Sequence, residues 1–312
     1  MATGAPYFAD LADGPADVQV DWLTAADGIR IRAAHWPLAG AKGTVILMPG
    51  RTEYIEKYGR AAADLARRGY ATVTVDWRGQ GLAARADADR MVGHVGDFAE
   101  FQRDTDALLA WAREQGAAAP FFLIGHSMGG CIGLRALMRG LPFRAAAFSA
   151  PMWGISMAAW MRPLAPWIAQ ISIWAGRAQR YAPTTGGKTY LLSVPFQGNV
   201  LTTDAGMWDY MRRQVAEVPD LALGGPSVGW VHAALGECAA LAAMPSPALP
   251  CYTALGTAEK VVDAAPIHLR MARWPQGRLE MYPMAEHEVM METPAHRARF
   301  FDSACALFDT QG

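Results

Sequence analysis

The chain has 312 residues, 52% of them hydrophobic and 18% charged, enough apolar sequence to bury a large core in one big domain with an insertion or in two modest ones. Its 28 basic and 29 acidic residues leave a formal net charge of -1 without any long single-sign run, so no electrostatic case exists for a nucleic-acid partner. Cys131, Cys238, Cys251 and Cys305 are widely separated and make no C-x-x-C pair; neither a zinc site nor a disulfide framework is indicated, and a reducing cytoplasm fits best.

Residues 1–17 lack a basic segment followed by an apolar core, so no secretory signal is expected. No uninterrupted apolar stretch reaches membrane-spanning length. The expectation is a cytoplasmic protein, with peripheral contact at the inner face of the membrane left open. Residues 18–36 alternate apolar and polar around Ala26-Asp27-Gly28 and predict a hairpin at the antiparallel edge of a sheet. Residues 44–48 form a continuous apolar run suited to a strand buried on both faces, ending in Pro49-Gly50-Arg51. A helix is predicted over 54–68, a second buried strand over 71–75 with the loop Asp76-Trp77-Arg78-Gly79-Gln80-Gly81 at its end, and a helix over 98–115. The strand entering Ser127, a helix over 128–139 and a short strand over 145–148 continue the alternation. Strand and helix in turn imply a parallel sheet with helices on both faces.

From residue 152 to about 235 the alternation stops, and Trp153, Trp160, Trp167 and Trp174 recur seven residues apart. That spacing predicts one helical face; packing of a helical insert into the core is the default expectation, and a lid lining an acyl-chain pocket is the sharper one. Strands resume at 250–255 and 278–282, with a helix after Asp263 and a closing helix over 293–308. The expected division is a core of residues 1–150 and 236–312 interrupted by a helical lid of residues 151–235.

The chemistry centres on Gly125-His126-Ser127-Met128-Gly129. A strand turning directly into a helix forces its central residue into a strained conformation, and glycines two positions to either side remove bulk that would collide. A serine hydroxyl needs a neutral imidazole within hydrogen-bond reach and a carboxylate to orient it. Functional groups gather at the carboxyl ends of parallel strands. In the order Ser, acid, His, four histidines qualify (His232, His268, His287 and His296), and His287 alone follows a predicted core strand. Two carboxylates follow the strand at 251–255. Glu259 is favoured by position, while Asp263 opens a helix where capping explains an aspartate; both remain candidates. The backbone N–H groups of Met128 and Arg51 are the candidate oxyanion donors.

Pro49-Gly50-Arg51, Asp76-x-Arg78-Gly79-x-Gly81, Gly-His-Ser-Met-Gly-Gly at the elbow, Ser149-Ala150-Pro151 and Glu286-His287-Glu288 together resemble the α/β-hydrolase fold. More closely they are similar to its lysophospholipase and monoacylglycerol lipase-like branch, grouped with serine aminopeptidase-like hydrolases. The segment Pro-Gly-Arg-Thr-Glu-Tyr-Ile-Glu-Lys-Tyr and Leu223-Gly224-Gly225-Pro226 with Gly229-Trp230 look like bacterial lysophospholipase L2-type proteins. The resemblance runs from about residue 44 to the end of the chain. It implies a lysophospholipid or monoacylglycerol ester as substrate, hydrolysed through an acyl-enzyme. The chain departs from the pattern at Pro49, where monoglyceride lipases usually carry His, and at Glu259, where Asp is common.

Gly186-Gly187-Lys188-Thr189 lacks the first glycine of a phosphate loop, His287-Glu288 is not followed by the second histidine of H-E-x-x-H, and no G-x-G-x-x-G occurs. No cofactor or metal is called for. An amidase or aminopeptidase on the same triad, and a non-catalytic ligand-binding protein on the same fold, are the alternatives. Oligomeric state is not legible.

Overall fold

The computed structural model describes residues 4–85, 89–158, 160–161 and 164–312. The first three residues of the N-terminal stretch, and residues 159, 162 and 163 of the expected lid, lie outside the described residues. A short helix α1 (Ala9–Ala12) precedes the hairpin of β1 (Gln19–Thr24) and β2 (Arg30–Trp36), whose loop contains Gly28 at φ 81°. Then come β3 (Thr44–Met48), a 3₁₀ turn (Ile55–Tyr58), α2 (Gly59–Ala66), β4 (Ala71–Asp76), α3 (Glu100–Glu114), β5 (Phe121–His126), α4 (Met128–Met138) and β6 (Phe143–Ser149). Four helices intervene, α5 (Ala165–Trp174), α6 (Tyr190–Ser193), α7 (Ala205–Glu217) and α8 (Val228–Ala242), before β7 (Cys251–Gly256), α9 (Ala264–Met271), β8 (Gly277–Tyr282) and α10 (Pro294–Asp309).

The eight strands form one sheet in the order β1-β2-β4-β3-β5-β6-β7-β8, with β2 alone running against the rest. Every residue of β3, β4, β5 and β7 is buried, as expected of strands covered on both faces. Successive side chains supply different cores. Val45, Leu47 and Phe122 pack with Leu65 and Phe300 on one face, while Ile46, Met48 and Leu123 pack with Phe101 and Leu134 on the other. From β3 the chain steps through α2 to β4 on one side, then crosses back through α3 to β5 on the other. That reversal opens a crevice at the carboxyl ends of β3 and β5, where the Pro49 turn and Ser127 emerge.

Two differences from the sequence reading have physical causes. The helix expected over 54–68 begins as a 3₁₀ turn, and α2 starts only at Gly59, where a Cβ would lie 2.0 Å from Ala12 O; the close approach of α1 sets that start. The tryptophan spacing does not define one packed helical face. Trp153 is buried and stacks on Trp274 at 6.1 Å between centroids, but residues 153–158 are not helical and Trp160, Trp167 and Trp174 are exposed. The core-packing expectation therefore holds at Trp153 only. The division expected at residue 235 falls inside α8. Among the described residues no helix is long and apolar enough to cross a membrane.

Candidate active site

Ser127 stands between β5 and α4 at φ 49° and ψ -117°, a left-handed conformation that carries strain for a residue with a Cβ. The turn holds because its surroundings admit no alternative. Ser127 N–H donates to Ser149 O at 3.1 Å, and Ser127 O accepts from Met152 N at 2.8 Å. A Cβ on Gly125 would lie 2.8 Å from Gly129 O, and one on Gly129 only 2.0 Å from Met48 O. The two glycines thus let the start of α4 press against the end of β3, which brings Met128 beside the Pro49-Gly50-Arg51 turn.

That turn is pinned by side chains on three sides. Pro49 O accepts from Trp77 Nε1 at 3.0 Å, Gly50 N–H donates to Glu53 Oε2, and Thr52 N–H donates to Gln80 Oε1 at 2.6 Å. Gln80 also reaches Met128 Sδ through Nε2 at 3.7 Å. Among the described residues, no hydrogen bond within the chain engages the N–H of Arg51 or of Met128, the latter being the first residue of its helix. Two donors at adjoining strand ends are what a developing oxyanion requires.

His287 follows β8 and is buried. Its Nδ1 lies 2.7 Å from Glu259 Oε2, and its ring centroid is 4.9 Å from that of His126, the neighbour of Ser127. An ionised carboxylate only accepts, so Nδ1 carries the proton and Nε2 is left as the basic nitrogen. Glu259 Oε1 accepts from Val261 and Val262 N–H at 2.6 and 3.0 Å. Burial alone would raise the Glu259 pKa, but the His287 hydrogen bond and charge, with these two amides, bring it below the ordinary carboxylate value. Asp263 is elsewhere engaged: it caps α9 by accepting from Ala265 N–H. The structure thus brings His287 and Glu259 together and puts Asp263 at a helix start. His232, His268 and His296 lie on α8, α9 and α10. His94 Nδ1 is 2.7 Å from the Oγ of Ser227, the cap of α8, which orders that loop.

Sequence reasoning missed the polar cluster behind the site. Lys57 Nζ contacts Glu53 Oε1 at 2.6 Å and also pairs with Glu288, the neighbour of His287. Tyr58 Oη donates to Glu53. Burial opposes charge on both groups, yet Glu288 and Glu53 hold Lys57 above its ordinary value, and Lys57 holds Glu53 below its own, at about 2. Burial keeps His126 neutral, pushing its pKa down to about 3. Glu53, His126 and Glu288 present potential ligand atoms within 4.8 Å of one another, but the Lys57 ammonium already supplies the positive charge there. The one available signal was the Glu53/Lys57 spacing of four at the start of the helix expected there.

A cavity of about 550 Å³ lies between α5 and α8, lined by Met161, Ala165, Ile168, Val228 and Val231 with Arg177 and Arg180 among its polar residues. A larger hollow of about 930 Å³ lies between α8 and α9. Neither is lined by Ser127, Glu259 or His287.

Residues 39–294 match the family described as serine aminopeptidase, S33. Lysophospholipase L2 of Escherichia coli K12 is 32% identical over 291 residues, covering 88% of this chain and 83% of that protein. Probable lysophospholipase L2 of Haemophilus influenzae is 26% identical over 315 residues and 98% of each chain. Among solved structures, a soluble variant of monoglyceride lipase from Saccharomyces cerevisiae, in complex with a substrate analog, superposes with a TM-score of 0.71 over 99% of each chain at 21% identity, a likeness of fold.

Proposed function

Since the chain belongs to the serine aminopeptidase S33 family of α/β-hydrolases and is an ester hydrolase of the lysophospholipase and monoglyceride lipase kind, we propose that Ser127, His287 and Glu259 hydrolyse the acyl ester of a lysophospholipid or monoacylglycerol. The observation that carries this reading is the 2.7 Å contact between Glu259 and His287 beside the strained Ser127 turn. His287 Nε2 takes the Ser127 proton as Oγ attacks the ester carbonyl, and the N–H groups of Arg51 and Met128 hold the oxyanion. Collapse of the tetrahedral intermediate returns that proton to the leaving glycerol oxygen and leaves an acyl group on Ser127. Water, deprotonated by the same imidazole, then releases the fatty acid. Every proton transferred passes through one ring nitrogen, so no further base is needed.

The apolar cavity between α5 and α8 is the proposed seat of the acyl chain, reached along α8, whose Trp230 ring lies under the Arg51 guanidinium at 5.3 Å. The exposed side chains of Trp167, Ile171 and Trp174 on α5 are proposed to rest on a lipid surface, from which a single-chain lipid could enter. The helical segment between β6 and β7 then serves as the lid. Turnover of one lysophospholipid, one monoacylglycerol and a matched acyl amide by the wild-type protein tests the reading. Ester turnover that disappears in Ser127→Ala is expected; preferential amide turnover would contradict it.

A further inference from the structure

Two buried guanidinium groups, those of Arg32 and Arg78, are neutralised by carboxylates. Arg32 sits between Glu56 and Asp76 at 2.7 and 2.8 Å, and Arg78 among Asp27, Glu100 and Asp104 at 2.7, 3.0 and 2.7 Å. Arg51 and Arg85 break the pattern, since among the described residues neither has a carboxylate within ion-pair distance. Arg51 Nη2 donates to Gly224 O at 2.8 Å, and among the described residues its Nε is buried without a partner. Arg85 holds the carbonyls of Gly81 and Ala222 at 2.7 and 3.3 Å, and its Nε is likewise buried without a partner. Burial pushes the Arg51 pKa down to about 9, with the Arg85 charge adding to the effect, and that of Arg85 down to about 10. A cation so placed is relieved by an incoming anion. Arg270 on α9 is a third guanidinium without a carboxylate; it lies over the Trp153 ring and donates to Leu241 O.

We propose that the Arg51 guanidinium, with Arg85 beside it, is an anion subsite for the phosphodiester of a lysophospholipid whose ester carbonyl meets the N–H of the same residue. The inference rests on the reading given above and sharpens it, because it separates the two candidate lipids. In a lysophospholipid only the glycerol carbons separate the acyl ester from a negatively charged phosphodiester, whereas a monoacylglycerol presents a neutral hydroxyl in that place. One residue carrying both an oxyanion donor and a guanidinium matches two acceptors that close together. A planar guanidinium is also suited to phosphate oxygens through paired hydrogen bonds.

The test compares kcat/KM for lysophosphatidylcholine and for a monoacylglycerol of the same acyl chain in the wild type, Arg51→Met, Arg51→Lys and Arg85→Met. The lysophospholipid-to-monoacylglycerol ratio should fall by about tenfold or more in Arg51→Met, chiefly through KM. It should recover in part in Arg51→Lys and fall less in Arg85→Met. Glycerophosphocholine should competitively inhibit monoacylglycerol turnover by the wild type and lose that effect in Arg51→Met. Equal losses on both lipids would overturn the proposal, leaving the side chain as a support for its turn. Inhibition by inorganic phosphate alone, with the ratio unchanged, would equally overturn the headgroup assignment. If Arg51→Met fails to fold, Arg85→Met and Arg51→Lys carry the same comparison. Turnover of neither lipid by the wild type would sink the ester-hydrolase reading and this inference with it; turnover of both with an unchanged ratio would sink the inference alone.

Discussion

At the scale of single residues, a carboxylate one methylene longer than the usual aspartate reaches His287 because it leaves the chain just after β7, where Val261 and Val262 N–H groups hold its other oxygen. Asp263 has the ordinary work of a helix cap. Glu259→Gln should therefore lower kcat on a short p-nitrophenyl ester by on the order of 10³–10⁴-fold, whereas Asp263→Asn, which keeps a capping oxygen, should lie within about threefold of wild type. The opposite ranking would move the acid to Asp263. His126 makes a separate prediction. Its folded pKa of about 3 lies below the ordinary 6.5, so the unfolded chain binds a proton that the folded chain refuses. Stability should then fall as pH drops below about 6.5, by about 2 kcal/mol between pH 7 and pH 5 from this group. His126→Gln should flatten that part of the curve in thermal unfolding, and an unaltered slope would place the lost stability elsewhere.

At the scale of elements, the Pro49 turn shows how a loop proposed to hold the oxyanion is itself held by groups that do no chemistry. Glu53 fixes Gly50 N–H, Lys57 joins Glu53 to Glu288, and Glu288 adjoins His287, so one ammonium links the Pro49 turn to the His287 loop. Removing it in Lys57→Met strands two buried carboxylates, at a cost of about 3–5 kcal/mol in stability. Denaturant unfolding should register that loss and Lys57→Arg should restore most of it; an unchanged midpoint for Lys57→Met would show that the pair is dispensable. The helix α5 is the other informative element. Trp167 and Trp174 are 67% and 75% exposed, an unfavourable place for such rings unless a lipid surface covers them. The double variant Trp167→Ala/Trp174→Ala should bind phospholipid vesicles about tenfold more weakly in a sedimentation assay, with turnover of a short soluble ester retained. Equal vesicle binding would remove α5 from the membrane contact.

At the scale of the whole molecule, the alternation of buried strands with helices was legible because β3, β4, β5 and β7 are apolar on both faces, a pattern that only a covered parallel sheet produces. The positions of Ser127, His287 and Glu259, the residues proposed to act together, were legible for a related reason: each follows the carboxyl end of a strand, so sequence order reports position. The tryptophans of the insert were misleading, since a spacing of seven defines a face only within a continuous helix and residues 153–158 are not helical. Glu53, Lys57, Gln80 and Glu288 were hidden because they meet only when the segments that follow β3, β4 and β8 converge at one end of the sheet. A charged residue carries no periodic signal for a partner more than two hundred positions away.

Ser127 is proposed to be a nucleophile activated by His287. Treating the protein with a fluorophosphonate and mapping the adduct by peptide mass spectrometry tests it most directly. A single adduct is expected on the peptide containing Ser127, absent in Ser127→Ala and strongly slowed in His287→Ala. A wild-type protein that hydrolyses the ester while Ser127 stays unlabelled, or labelling at equal rate after loss of His287, would contradict it.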